Sequence, residues 1–292
     1  SPIVIRTADV GLDGTLTVTA GATLVRDSDP AYEVAETHAK AAGILSAFGL
    51  VPSAPPSAVD VAELVADEDV LLALNSRNQR LSRFWLTDQA GDADVLTPPL
   101  AGRSAVVLDG EDDFVKMLRH VLAVLGMTTS VVRHEDYRPG VLDGADLVVV
   151  GPGPGDPRDD ADPKMQRLRA AVDELLAAER PFLAVCLGHQ ALCHALGLDL
   201  EYKDIVFQGT QSPVALGGRV ERVGFYNTFV ARVGDDRPAP PEGVRVDADP
   251  ETGDVHRVRG PYYAGIQFHA ESILTENGYQ LLADLVGDLL DR

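Results

Sequence analysis

A mostly parallel, doubly wound α/β sheet is the fold class predicted for residues 102–292, and three observations predict it. From Ser104 onward, short apolar runs alternate with helix-length amphipathic segments, at the spacing that parallel βαβ units need. Two of those runs, Leu147 to Val150 and Phe182 to Val185, are apolar at every position and read as buried strands. Each ends in a turn that carries chemistry, a Gly/Pro-rich loop in one case and a cysteine in the other. Ligands of such sheets bind at the carboxyl ends of the strands.

Composition shifts divide the chain into residues 1–50, 51–101 and 102–292. In the first part, Ile3 to Arg6 is a short strand, Asp13-Gly14 a hairpin turn signal and Thr15 to Thr19 the return strand. Gly21-Ala22 interrupts, Thr23 to Val25 resumes, and Ser28-Asp29-Pro30 starts a helix. From Ala31 to Phe48 the apolar period is helical, with Glu33, Glu36 and Lys40 on one face. By itself that face reads as a solvated surface with one i,i+4 pair worth ~0.3–0.5 kcal/mol. A hairpin and a helix in about fifty residues cannot close a sheet or bury a core. This part is therefore expected to complete an α+β domain whose remainder lies in a longer polypeptide or on another chain.

The second part is a connector. Pro52, Pro55 and Pro56 stiffen a loop. Val59 to Leu74 and Asn75 to Trp85 have helix character, and Arg77, Arg80 and Arg83 form a basic stripe, read as a salt-bridging face. In the third part, Ser104 to Leu108 is the first strand, Asp109 to Asp113 an acidic turn, and Phe114 to Leu125 an amphipathic helix that Gly126 stops. Strands follow at Ser130 to Arg133 and Leu147 to Val150. Asp162-Pro163 caps and opens a helix reaching about Glu179. After the strand Phe182 to Val185, a helix over Ala191 to Leu196 is closed by Gly197. Gly218 to Gln267 is strand-rich and returns the chain toward Cys186, and Asn277 to Leu290 is a closing helix.

The charge of −20 leaves nothing to neutralise phosphates, which argues against nucleic acid and anionic membranes. No apolar run reaches the ~18 residues that span a bilayer, and the first residues lack a secretory pattern. Cys186 and Cys193 are seven residues apart, too far along a helix to pair, which suits a reducing, cytoplasmic setting.

The chemistry-bearing stretches are three. In PFLAVCLGHQALCHAL, Pro181 to Leu196, a strand turns into a helix at Cys186, so the helix dipole would favour a thiolate there. A lone cysteine in such a run is more often a core residue, and the window alone leaves both readings open. GIQFHAES, Gly265 to Ser272, delivers His269 at a strand end with Glu271 two residues on, the base and carboxylate that a cysteine nucleophile needs. GPGPGDP, Gly151 to Pro157, offers backbone N–H groups of the kind an oxyanion hole uses.

Together these motifs resemble the class I (triad) glutamine amidotransferases, in the family's order, over about Gly102 to Arg292. Ala184 and Ala270 depart from the family's more usual Gly and Pro. The resemblance implies hydrolysis of glutamine by Cys186, His269 and Glu271, with oxyanion donors at Gly153 and Leu187 and glutamine contacts at Gln190, Thr228 and Phe229. Residues 1–48 resemble the C-terminal end of chorismate-utilising enzymes such as anthranilate synthases. That likeness implies a Mg²⁺ site with Glu33 and Glu36, shared with residues absent from this chain, and chorismate-carboxylate contacts at Arg6, Gly21 and Lys40. A linker joining both modules is most similar to phenazine-pathway synthases making 2-amino-2-deoxyisochorismate, with fused anthranilate synthases close behind. The partners implied are glutamine, chorismate and the rest of the chorismate-utilising domain, in a homodimer of the complete enzyme. A non-catalytic regulatory module and a cysteine hydrolase of other amides are the readings of another class.

Overall fold

The computed structural model describes residues 7–22, 28–52, 65–87 and 98–291. The expected strand segments Ile3 to Arg6 and Thr23 to Val25, and with them the chorismate-contact residue Arg6, lie outside the described residues. The chain divides into two compact units, Ser1–Leu71 and Leu72–Arg292.

In the first unit, β1 (Thr7–Val10) pairs antiparallel with β2 (Leu16–Thr19). The turn is the one the Asp-Gly pair dictates. Asp13 accepts the Thr15 N–H, and Gly14 takes a φ of 83° that a side chain would resist. Helix α1 (Pro30–Ala47) is capped by the Asp29 carboxylate, which accepts the Tyr32 N–H at 2.8 Å, with Pro30 pre-set for the first turn. None of its residues is buried.

The division between the units falls within α2 (Glu68–Asn78), and the short α3 (Arg83–Leu86) follows it in the second unit. The expected helix boundary at Leu74/Asn75 is not there. The helix runs through it and breaks at Gln79 to Ser82, where the Ser82 N–H leaves the helical pattern to donate to the Ile273 carbonyl at 2.8 Å. Arg80 and Arg83 enter no ion pair with a described residue. Arg80 instead lends its backbone carbonyl to the Gln211 amide.

The sheet holds seven strands: β3 (Ser104–Asp109), β4 (Thr128–Arg133), β5 (Leu147–Val150), β6 (Phe182–Val185), and later β11 (Arg245–Ala248), β12 (Val255–Arg259) and β13 (Tyr263–Ile266). Their spatial order is β11-β12-β13-β6-β5-β3-β4, parallel from β13 to β4 and antiparallel at the β11-β12 edge. Alternate residues feed two cores. Val107, Val149, Leu183 and Val185 face α4 (Phe114–Val124) and α7 (Gly278–Leu290). Val106, Leu108, Val148, Val150, Phe182 and Ala184 face α5 (Pro163–Ala177) and α6 (Leu187–Ala195). This is the doubly wound α/β fold expected, and being covered on both faces explains the uninterrupted apolar runs.

The β extension consists of two antiparallel pairs. One is β7 (Asp199–Tyr202) with β10 (Phe229–Arg232), and the other β8 (Thr210–Leu216) with β9 (Arg219–Phe225). The Gly224–His269 bridge ties β9 to the segment after β13. A buried charge network fixes β10: Asp254 binds both Lys203 and Arg232, and Arg232 also reaches Glu201 at 2.9 Å.

Candidate active site

Three adjacent parallel strands, β5, β6 and β13, each end at the same place. Beyond β6 the chain turns at Cys186, whose φ of 52° and ψ of −103° are strained for a residue with a side chain. Helix α6 begins at once at Leu187, four residues before the start expected at Ala191. Its early start depends on Gly188, where a Cβ would run into the Val150 carbonyl of β5. Cys186 sits at the N-cap, held by its N–H to the Ile266 carbonyl at 2.9 Å.

Beyond β13, His269 and Glu271 are buried, 1% and 0% exposed. His269 Nδ1 lies 2.8 Å from Glu271 Oε1, which turns the other ring edge to Cys186. Burial opposes charge on the imidazole. The Glu271 carboxylate and then the Cys186 sulfur outweigh it and hold the His269 pKa well above its ordinary value. Phe114 and Tyr226 pack on the ring, with centroids at 4.4 and 5.2 Å, and the Thr275 hydroxyl donates to the His269 carbonyl. The imidazole is thus fixed from three sides.

Beyond β5, the GPGPG loop packs against the acidic turn so closely that a Cβ on Gly153 would strike the Gly110 carbonyl. No other residue fits there. Lys164, mostly buried on α5, ties the turn down through Glu111 at 3.0 Å. Glu111, His134 and Glu135 bring three potential metal donors within 4.8 Å. Glu111 is engaged by Lys164, however, and Glu135 by Arg133 at 3.3 Å, so the group is an ion-pair cluster.

A cavity of about 330 Å³ opens over Cys186. Its walls include Gly153, Leu187, Gln190, Thr228 and Phe229, so every oxyanion and glutamine-contact residue expected from sequence lines one space with the cysteine. Gln208 also lines it and reaches Thr228 Oγ1 at 3.5 Å. Asn227 braces the far wall by donating to the Phe229 carbonyl at 2.8 Å. Two residues that no motif marks complete the site. Gln267 is fully buried beside the sulfur. Trp85 of α3 donates its indole N–H to the Glu271 carbonyl at 2.9 Å. Cys193 lies about two helical turns on, fully buried, with its thiol pKa pushed up by burial alone, and it takes the core role expected.

In the first unit, Lys40 gathers part of the other expected site. Its ammonium lies 2.9 Å from Glu36 and donates to the Gly21 carbonyl at 3.2 Å. Glu33 is one turn earlier on α1. Two carboxylates on one helix offer the hard oxygen donors that Mg²⁺ prefers. Glu36 is already paired with Lys40.

The chain is similar to several known proteins. The family described as glutamine amidotransferase class-I matches residues 106–289. A Pseudomonas chlororaphis protein named "Anthranilate synthase, phenazine specific" is 43% identical over 98% of this chain and 44% of its own length. This chain thus spans less than half of that relative. "Anthranilate synthase component 2" of Mycobacterium tuberculosis is 33% identical over 61% of this chain and 79% of that one. Among solved structures, a glutamine amidotransferase from Thermotoga maritima superposes with a TM-score of 0.51 at 16% identity, over 65% of this chain and 97% of that one.

Proposed function

This chain belongs to the class-I glutamine amidotransferases, and from that premise we propose that it hydrolyses glutamine and feeds the ammonia to chorismate. The observation that carries the proposal is a cysteine at a strained strand-to-helix turn, open to a cavity of amino-acid size and interacting with a buried His269–Glu271 pair. His269 takes the Cys186 proton, and the thiolate attacks the side-chain amide of glutamine. The oxyanion that forms meets the N–H groups of Gly153 and Leu187. His269 returns the proton to the departing ammonia, leaving a thioester. Water then attacks with His269 as base, and glutamate leaves. Glu271 keeps the imidazole oriented and sustains its charge. Gln190, Thr228 and Phe229 would hold the glutamine.

The second half-reaction rests on residues 1–50 and on the named relatives, which extend well beyond this chain's length. Glu33 and Glu36 would hold part of a Mg²⁺ site, and Gly21, Lys40 and Arg6 the chorismate carboxylates. When bound, Mg²⁺ would supply charge neutralisation for the ring carboxylate. The remaining ligands would come from the rest of the chorismate-utilising domain, in a homodimeric cytoplasmic enzyme. The product favoured is 2-amino-2-deoxyisochorismate of a phenazine-type route. Elimination of pyruvate to anthranilate is the second reading, favoured by the first word of the relative's name.

The test uses Cys186→Ala in the complete synthase. Glutamine-dependent synthesis should be lost while ammonia-dependent synthesis continues, because the two chemistries use separate residues. Glutamine use at near wild-type rate would end the nucleophile assignment. Product mass, with or without pyruvate release, separates the two products.

A further inference from the structure

Gln267 follows β13 and ends with its side chain in the interior, 0% exposed. A buried amide carries one acceptor and two donors, and each needs a partner. Which end of the amide faces the cysteine follows from a chain of contacts that starts at an atom of fixed character. The Phe229 carbonyl can only accept. It lies 2.8 Å from the terminal nitrogen of Gln190, which is therefore the NH₂ end. The same NH₂ lies 3.0 Å from the Gln267 side chain, so the Gln267 atom there is the oxygen. The Gln267 NH₂ is thereby turned toward Cys186 Sγ, at 3.8 Å. The Gln190 NH₂ donates both to the Phe229 carbonyl and to Gln267, and Gln267 in turn donates to the sulfur, so each contact fixes the next.

From this arrangement we infer that Gln267 is a further catalytic residue, an N–H donor that stabilises the Cys186 thiolate, and that Gln190 positions it by locking its amide. The inference rests on the glutaminase reading for its role in turnover. A neutral donor beside an anionic sulfur favours the charged form without offering a proton that the sulfur would take. It complements His269 from another side. The imidazole exchanges protons with the sulfur during the reaction, while the amide holds the sulfur between those events. Gln267 also couples two ends of the cavity. The Phe229 carbonyl that orients Gln190 belongs to the wall proposed to hold the substrate, so displacement of that carbonyl would loosen the amide at the sulfur.

The experiment measures alkylation of Cys186 by iodoacetamide in the full chain, followed by peptide mass spectrometry, as a function of pH. It reads the thiolate directly and needs no glutamine turnover. Gln267→Met keeps the side-chain length and removes the donor. It should slow alkylation at neutral pH about tenfold, with the rates converging at alkaline pH where the thiol ionises regardless. Gln267→Glu puts an oxygen where the NH₂ was and should slow it further. Gln190→Met leaves Gln267 in place with its amide free to flip and should give a smaller loss in the same direction. In glutaminase assays, Gln267→Met should lower kcat by a similar factor with KM within twofold. A purely structural Gln267 would lower the melting temperature of these variants and leave the alkylation profile of the folded protein unchanged, and that result overturns the inference. If Gln267→Met fails to fold, the Gln190→Met profile decides, and an unchanged profile there overturns the inference equally. Loss of alkylation in a chain whose wild type releases no glutamate would support the thiolate role and count against the glutaminase reading alone.

Discussion

Helices α1 and α4 present a useful contrast. Both have apolar residues at helical spacing, yet α4 buries Val115, Leu118, Val121 and Leu122 under the sheet while α1 buries nothing. The difference lies in what each has to pack on. Residues 104–109 form a strand of a seven-stranded sheet within the same unit, whereas α1 has a two-stranded ribbon for company. A helix's apolar period specifies which face could be buried, and only a partner surface makes it so. Function divides in the same way. The cysteine site is assembled from strand ends inside its own unit, while Glu33, Glu36 and Lys40 stand on a helix none of whose residues is buried.

The contrast breaks most sharply at Glu33. With the rest of the chorismate module present, Glu33→Gln should abolish product formation from either nitrogen donor and leave glutaminase activity intact. Normal synthesis would return α1 to a plain solvated helix, on which such a change costs no more than ~0.5 kcal/mol.

Gly153→Ala is the corresponding lesion in the other unit. The added Cβ cannot coexist with the Gly110 carbonyl, so the loop must shift its N–H groups. A fall in glutaminase kcat of about 10²–10³-fold is expected, the usual loss for an oxyanion donor. A variant within tenfold of wild type would remove Gly153 from the oxyanion assignment.

Glu271→Gln tests the electrostatics. Because His269 has a raised pKa in the folded state, the stability it contributes is fully present below the unfolded value of about 6.5 and is lost as pH rises through the folded one. The gap in melting temperature between wild type and variant should therefore be widest below about pH 6.5 and narrow at higher pH. Imidazole NMR should show the His269 pKa of the variant lowered from that of wild type, since the Glu271 charge that most opposes burial is gone. A gap that widened with pH would contradict the assigned sign.

The smallest effect is expected at Trp85. Trp85→Phe keeps the packing with Phe84 and His120 and removes the donation to the Glu271 carbonyl. A loss of about 1 kcal/mol is expected, read as a shift in denaturation midpoint, with a modest fall in kcat. The connector thereby touches the residue after next from the imidazole, a contact that joins linker and site within one unit.

Much of this was legible in the sequence. Phe182–Val185 and Leu147–Val150 were readable as strands because both faces are covered, and Asp29 and Asp162 as caps because each accepts an N–H two or three residues on. The motifs named the residues that meet around Cys186. Long-range causes were not legible. The start of α6 is set by a carbonyl on β5, and the break after α2 by a carbonyl some two hundred residues away. Gln267 looks like one polar residue in an apolar strand end, and only the positions of Gln190 and Phe229 show which way its amide points.

The placement of β13 has a consequence for the order in which the protein comes to life. This strand inserts between β6 and β12, some eighty residues after the strand that ends in Cys186, and it alone brings the base. Closing so long a loop is slow relative to pairing the earlier strands. During synthesis at ~5–20 residues per second, the cysteine emerges seconds before His269, on a chain that has no means of activating it. The reactive sulfur is therefore a late product of folding, and a nascent or partly folded chain carries an unarmed thiol.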